Sequence, residues 1–170
     1  MIVLSFDPGV TTGWVLLCSD GSRVFYRDGG TVHGGWDAVH ALLQTQLRDI
    51  QFAVPGARAA LAVETVVGSA WARPGAKSAA LIAASELAGR ILGVGRERGM
   101  SVVEASAREW RRAIVGKANA SDVLIKAVVH KRVRGVPRTN EHVRDAIGMG
   151  LYAAMKSRGT GQSNTQWGTT

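Results

Sequence analysis

The opening segment of the chain constrains the fold most strongly. Residues 2–6 are apolar or strand-favouring, and this run stops at a single carboxylate, Asp7. A Pro-Gly pair typical of a turn follows, and Gly13 allows a second bend before the apolar residues 14–17. The segment therefore predicts a buried strand, a tight turn and a second strand. Asp7 alone is open to two interpretations, a cap for the turn or a functional carboxylate at a rigid strand end.

A later apolar run has the same design. Residues 59–63 are small and apolar, and they are followed by Glu64. Between the two runs, apolar side chains recur at helical spacing from Trp36 to about Phe52. A crossover helix of this kind joins parallel strands, which would place Glu64 beside Asp7 at one edge of the sheet. On its own, Glu64 also fits an ordinary charged strand end.

The remaining patterns predict one more antiparallel strand and an alternation of helices and strands. Ser106 and Glu109 have the spacing of a capping box, and the helix that they begin carries three arginines around Trp110. Ser121 is a candidate cap for the following helix. The predicted segments are a strand over 23–27, a long helix over about 76–98, a strand over 100–105, and helices over 106–115, 122 to about 133, and about 140–157.

Length and composition bound the class of protein. The 170 residues, 46% of them hydrophobic and 20% charged, predict one globular domain. No apolar run reaches the ~18 residues of a membrane-spanning helix, and no basic segment precedes the first strand as in a signal peptide. The single cysteine, Cys18, excludes an internal disulfide and a cysteine metal cluster. We therefore expect a cytoplasmic protein with no membrane partner.

The charge points to a polyanion. A net charge of +8 and a pI near 10.6 are high for this length, and arginine outnumbers lysine. Guanidinium groups suit phosphate oxygens, so nucleic acid is the simplest partner. The alternative is a basic surface that only keeps the protein soluble.

The last predicted helix supplies two further candidate ligands. His142 and Asp145 are three residues apart, so they share one helix face near its start. Together with Asp7 and Glu64 they make four potential metal ligands from three remote places in the chain. Oxygen ligands suit magnesium or manganese, and two divalent ions can activate a water and stabilise the leaving oxygen in phosphodiester hydrolysis.

Three segments resemble the motifs of RuvC-type Holliday-junction resolvases, which belong to the RNase H-like nucleases. They are Phe6-Asp7-Pro8-Gly9-x-x-Thr12-Gly13-Trp14, Ala62-Val63-Glu64, and Glu141-His142-Val143-Arg144-Asp145-Ala146-Ile147-Gly148. The resemblance implies an α/β, RNase H-like fold over residues 1–157, with a central mixed five-stranded sheet flanked by helices on both sides. Its first three strands would be antiparallel. Residues 158–170 are expected to form a disordered tail.

The resemblance also implies an activity and partners. These would be paired symmetric nicks in four-way DNA junctions, made by a homodimer and leaving 5′-phosphate and 3′-hydroxyl ends. The implied catalytic and metal-binding residues are Asp7, Glu64, His142 and Asp145, with Mg²⁺ as cofactor, two ions per site, and no small-molecule cofactor. Many members have aspartate at position 142. Because imidazole is a softer ligand, we expect Mn²⁺ to support activity as well; His142 could instead orient water or the leaving group.

The DNA-binding candidates match the family less closely. Trp71, Arg73 and Lys77 lie in the loop after Glu64, where the family often has an aromatic residue that enters the junction; packing of Trp71 within its loop is the alternative. Arg111 and Lys117 are the basic candidates on and after the 106–115 helix. The family's lysine near position 121 or 122 is replaced by Ser121 or Asp122.

Three other functions are alternatives to a junction-resolving nuclease. The chain could be an RNase H-like nuclease that acts on RNA or on other branched or flap DNA, or a junction-binding module with an inactive site. A kinase-like ATPase shares the Asp-Pro-Gly turn, but that fold needs two such domains.

Overall fold

The computed structural model describes residues 1–53, 56, 58–65 and 78–159. Over these residues the chain forms strands and helices close to those predicted. They are β1 (Ile2–Asp7), β2 (Thr11–Ser19), β3 (Val24–His33), α1 (Gly35–Ala53), β4 (Ala59–Glu64), α2 (Ser78–Glu97), β5 (Ser101–Ala105), α3 (Ala107–Val115), α4 (Asp122–Arg132), β6 (Val133–Arg134) and α5 (Glu141–Gly159). Helix α5 extends two residues into the segment predicted as a tail. No helix in the described ranges has the length and apolar character needed to cross a membrane.

One mixed sheet organises these elements, in the order β5-β4-β1-β2-β3-β6. Strands β1, β2 and β3 are antiparallel neighbours, while β4 and β5 run parallel to β1. The predicted fold class is confirmed, but the prediction of five strands was one short. The sixth, β6, pairs with β3 through Val133 and Arg134 alone. Two residues are too few for the alternating pattern of a strand to be recognised in the sequence, and Val133 is equally consistent with the end of α4.

Helices cover both faces of the sheet, and β1 shows how its side chains divide between them. Ile2, Leu4 and Phe6 point to the face covered by α1 and α2. Val3 points to the opposite face, where α3, α4 and α5 pack. This alternation is the two-residue period of a strand buried on both sides. Helix α5 therefore lies in the interior of the molecule, against β1 and β2.

Two glycines allow α5 to approach its neighbours closely. A Cβ at Gly13 would overlap the backbone carbonyl of His142, at the start of α5. A Cβ at Gly148 would overlap the indole ring of Trp110, which lies on α3. Close backbone approach of this kind is available only to glycine. These contacts determine where the first turns of α5 sit relative to the end of β1.

Candidate active site

Two carboxylates lie side by side at the end of the sheet. β1 and β4 are parallel with Phe6 opposite Val63, so the next residues, Asp7 and Glu64, end adjacent strands at the same edge. Burial, followed by repulsion from Asp145, raises the pKa of Asp7 from 3.8 to about 7. Burial, followed by repulsion from Asp7, raises the pKa of Glu64 from 4.5 to about 8. Such shifts mark carboxylates that are crowded together away from water.

The first turns of α5 bring two more groups to this edge. Asn140 caps the helix, because its Oδ1 accepts a hydrogen bond from the backbone N–H of Val143. The Nδ1 atom of His142 lies 3.3 Å from Oδ2 of Asp7. Asp145 follows one turn later, and burial raises its pKa while the Arg111 charge opposes that rise. Helical spacing and the close contact at Gly13 thus place α5 against the end of β1.

A buried tryptophan holds the Glu64 carboxylate. The indole Nε1–H of Trp110 donates to Oε2 of Glu64 across 2.6 Å, and Trp110 is fully buried. The ring rests on Gly148 of α5. Hydrogen bonding to the ionised carboxylate acts against the rise in the pKa of Glu64. Trp110 therefore links the end of β4 to α3 and α5.

An arginine neutralises the third carboxylate. The Nη2 atom of Arg111 donates to Oδ2 of Asp145 at 2.7 Å, and both side chains are largely buried. The guanidinium also lies over the Trp110 ring, 5.2 Å from its centroid. This one cation lowers the pKa values of Asp7, Glu64 and Asp145 at once. It partly offsets the repulsion within the carboxylate cluster.

The donor set fits a divalent cation by its chemistry. Asp7, Glu64 and Asp145 supply hard carboxylate oxygens, each with a raised pKa, and the three charges act on one another. Within the described residues, however, no three His, Cys, Asp or Glu side chains are grouped closely enough to coordinate one ion. In this arrangement Trp110 and Arg111 hold two of the carboxylates. The site is thus a cluster of acids neutralised by protein groups.

Comparison with known proteins connects this geometry to a family. No family model matches the chain. The chain is 29% identical over 159 residues to crossover junction endodeoxyribonuclease RuvC of Zymomonas mobilis, covering 91% of this chain and 90% of that protein. The fold matches the Thermus thermophilus RuvC structure with a TM-score of 0.67 at 20% identity, over 94% of this chain and 98% of that one. The T. thermophilus RuvC complex with a Holliday junction substrate matches with a TM-score of 0.68 at 18% identity, over 94% and 96%.

The resemblance to RuvC-type resolvases is confirmed. The RuvC-like fold places all four predicted ligands, Asp7, Glu64, His142 and Asp145, at one edge of the sheet. Their roles as ligands and catalysts stay predictions.

The DNA-binding candidates have different outcomes in this RuvC-like structure. Arg111 pairs with Asp145 inside the candidate site, and Lys117 is exposed in the turn after α3. Trp71, Arg73 and Lys77 lie outside the described residues, so their contacts with DNA stay predictions.

Sequence reasoning missed the role of Trp110 in the RuvC-like site. A signal was present, because Trp110 and Ile114 are four residues apart and form the buried face of α3. A buried indole N–H needs an acceptor. The capping box at Ser106 and Glu109 was predicted and is present. Ser121 occupies the N-cap position of α4, but its side chain makes no capping hydrogen bond.

Proposed function

We propose that this chain is a divalent-metal-dependent, structure-selective endonuclease that resolves four-way DNA junctions by paired symmetric nicks. The observation that carries the proposal is the meeting of Asp7, Glu64 and Asp145 at one sheet edge in a protein of net charge +8. The similarity to a crossover junction endodeoxyribonuclease over 91% of the chain supports it. The products would carry 5′-phosphate and 3′-hydroxyl ends.

Asp7, Glu64, His142 and Asp145 would hold the metal, Mg²⁺ or Mn²⁺, as two ions per site. Bound divalent ions supply an activated water and neutralise charge on the phosphate. In the metal-free protein, protons on Asp7 and Glu64 and the guanidinium of Arg111 offset the carboxylate charges. Asp145 would hold the metal in place of its ion pair with Arg111. Arg111 lies at the edge of the site, where a guanidinium can contact a phosphate oxygen.

We further infer a homodimer, because symmetric nicking needs two active sites. Helix α2 supports this proposal through its exposed apolar residues. Ile82 is 40% exposed, and Ala79, Ala80 and Ala83 are also exposed. Exposed apolar residues grouped on one helix are typical of a surface that a second subunit covers.

A substrate panel tests the function. Four-way junction, duplex, flap and RNA–DNA hybrid substrates are incubated with the wild-type protein and with Asp7→Asn, in Mg²⁺ and in Mn²⁺. We expect paired nicks in the junction only, and loss of cutting in Asp7→Asn with junction binding retained. Preferred cutting of hybrid or flap would favour another RNase H-like nuclease. Binding without cutting in either metal would indicate an inactive junction-binding module, and normal cutting by Asp7→Asn would disprove the assignment of Asp7.

A further inference from the structure

A basic cleft lies at the end of the molecule opposite the candidate active site. It has a volume of about 370 Å³ between the start of β3, the end of α4, β6 and the end of α5. Five cationic side chains line it, Arg23, Lys131, Arg132, Arg134 and Arg158. All five are exposed. Buried apolar residues, including Ile114 and Leu151, form its floor.

No Asp or Glu side chain forms an ion pair with these cations, although the charges of Asp20 and Arg23 attract each other across the neighbouring turn. The sequence has 13 Asp and Glu residues, and all of them lie within the described ranges. None is within 4.0 Å of the cationic groups in the cleft, because the ion pairs formed by described residues involve other cations. Asp20, in the neighbouring turn, accepts hydrogen bonds from Ser22 and from the backbone of Arg23. Among these five side chains, Arg158 donates to the hydroxyl of Ser19.

The topology separates this cleft from the carboxylate cluster. Asp7 ends β1, whereas Val24 begins β3, which runs parallel to β1 because both are antiparallel to β2. Likewise His142 is in the first turn of α5, and Arg158 is in its last. The 19 residues of α5 span about 28 Å at 1.5 Å per residue. This span is close to the length of about eight base pairs of duplex DNA.

Helix electrostatics explains only part of the cluster. Cations in the last turn of a helix are favoured by its macrodipole, which accounts for Lys131 and Arg132 on α4. It does not account for Arg134, which lies on β6, or for Arg23, which lies in the turn before β3. Pairing of Phe25 with Arg134 brings these segments together. Several unpaired cations gathered from separate segments around one concave surface suit a chain of phosphates.

We propose that this cleft binds the phosphodiester backbone of duplex DNA, as a second contact remote from the carboxylate cluster. Its binding requires neither metal nor catalysis, so it goes beyond the proposed function and can be tested separately.

The test compares two charge-matched double variants. Lys131→Ala with Arg134→Ala removes two exposed cations from the cleft. Arg48→Ala with Lys126→Ala removes two exposed cations outside it. Both are measured against wild type by fluorescence anisotropy with a labelled duplex in EDTA, over a range of salt concentrations. Thermal unfolding checks that each variant is folded.

The cleft variant should bind duplex DNA more weakly than the control variant. The slope of log affinity against log salt should be smaller by about 1.8, since each lost phosphate contact contributes about 0.9. Equal affinities and slopes for the two variants would overturn the proposal. An acidic protein surface would then be the favoured partner of the cleft. Junction cutting by the wild type and by both double variants is assayed in parallel in Mg²⁺. Absence of cutting by every form would contradict the proposed nuclease function, while the binding comparison would still decide the cleft.

Discussion

At the scale of single residues, each candidate ligand carboxylate is held by a different kind of partner. Glu64 accepts from an indole, Asp145 from a guanidinium, and Asp7 lies against an imidazole. The indole of Trp110 and the guanidinium of Arg111 favour ionisation of carboxyl groups that burial would keep protonated. These partners offset only part of the effect of burial, because the pKa values of Asp7 and Glu64 stay raised to about 7 and about 8.

Replacing Trp110 with phenylalanine tests whether the indole N–H positions Glu64. The change removes the donor to the carboxylate and keeps an aromatic ring in the same space. We expect affinity for the divalent metal to fall about tenfold, as for the loss of other groups that orient ligands. Titration calorimetry with Mn²⁺ measures this without relying on catalysis.

Trp36→Phe is the matched control for this prediction. Trp36 is half-buried on α1, where it stacks on His40. Its replacement should leave Mn²⁺ affinity unchanged. If Trp110→Phe also bound Mn²⁺ as tightly as wild type, the indole would have only a packing role.

The raised pKa values predict a pH-dependent stability for the metal-free protein. Asp7 and Glu64 have pKa values of 3.8 and 4.5 when unperturbed and about 7 and about 8 in the fold. At pH values between the unperturbed and the raised pKa values, the folded state binds more protons than the unfolded state. The free energy of unfolding therefore falls as pH rises through this range. Each pKa unit corresponds to about 1.4 kcal/mol. The stability that these two carboxyl groups contribute is therefore fully present below about pH 4, and it is lost as pH rises to about 8.

Thermal unfolding in EDTA from acid to mildly alkaline pH measures this loss. Mg²⁺ should reverse it at the alkaline end, because a ligand that binds only the folded state stabilises that state. Asp7→Asn removes one raised group and should flatten the pH dependence. A melting temperature that rose through the same range, or that Mg²⁺ left unchanged, would contradict the electrostatic account of the site.

At the scale of secondary structure, α5 is the element on which the site depends. It contacts β1, β2, β4 and α3, and it supplies both His142 and Asp145. Gly13 and Gly148 let it lie close to β2 and to α3. The geometry of the site is therefore a consequence of close helix packing, and an added methyl group beneath α5 should disturb it.

Gly148→Ala tests this packing. The new methyl group would overlap the Trp110 ring, and overpacking of this kind costs about 1–3 kcal/mol. The midpoint of urea denaturation should fall accordingly. Because a phenyl ring is smaller than an indole, Trp110→Phe should partly rescue Gly148→Ala in a double-mutant cycle. Strictly additive effects would show that the two side chains do not compete for space.

At the scale of the whole molecule, a cluster of carboxylates and a cluster of cations lie at opposite ends. The carboxylate cluster lies at the end of the sheet defined by Asp7, and the basic cleft lies at the end defined by Val24. A nuclease that binds metal at one end gains from the cleft at the other end a wider surface for phosphates.

The proposed homodimer is tested at the same scale. Ile82→Glu places a charge on the exposed face of α2, and burying an unpaired charge in an interface is costly. Sedimentation velocity should show a dimer for the wild type and a monomer for the variant. Val123→Glu is the control, because Val123 is 80% exposed on α4. A monomeric wild type, or a dimeric Ile82→Glu, would exclude α2 as the contact.

Much of the fold and of the candidate site could be predicted because the relevant signals are local. Apolar runs ending at Asp7 and Glu64 indicated two strand ends, and the crossover rule placed them together. Spacing of three residues put His142 and Asp145 on one helix face. These inferences need only the geometry of single elements and of one connection.

What the sequence by itself determined was the set of elements, the edge at which the acids meet and the net positive charge. Tertiary structure alone decided which partner each carboxylate has, how closely α5 approaches β2 and α3, and where β6 and the basic cleft form. Trp110 and Glu64 are 46 positions apart, and Arg111 and Asp145 are 34 apart. No spacing rule reaches that far, because such contacts are determined by how the helices pack on the sheet, and here that packing depends on the absence of a side chain at Gly13 and Gly148.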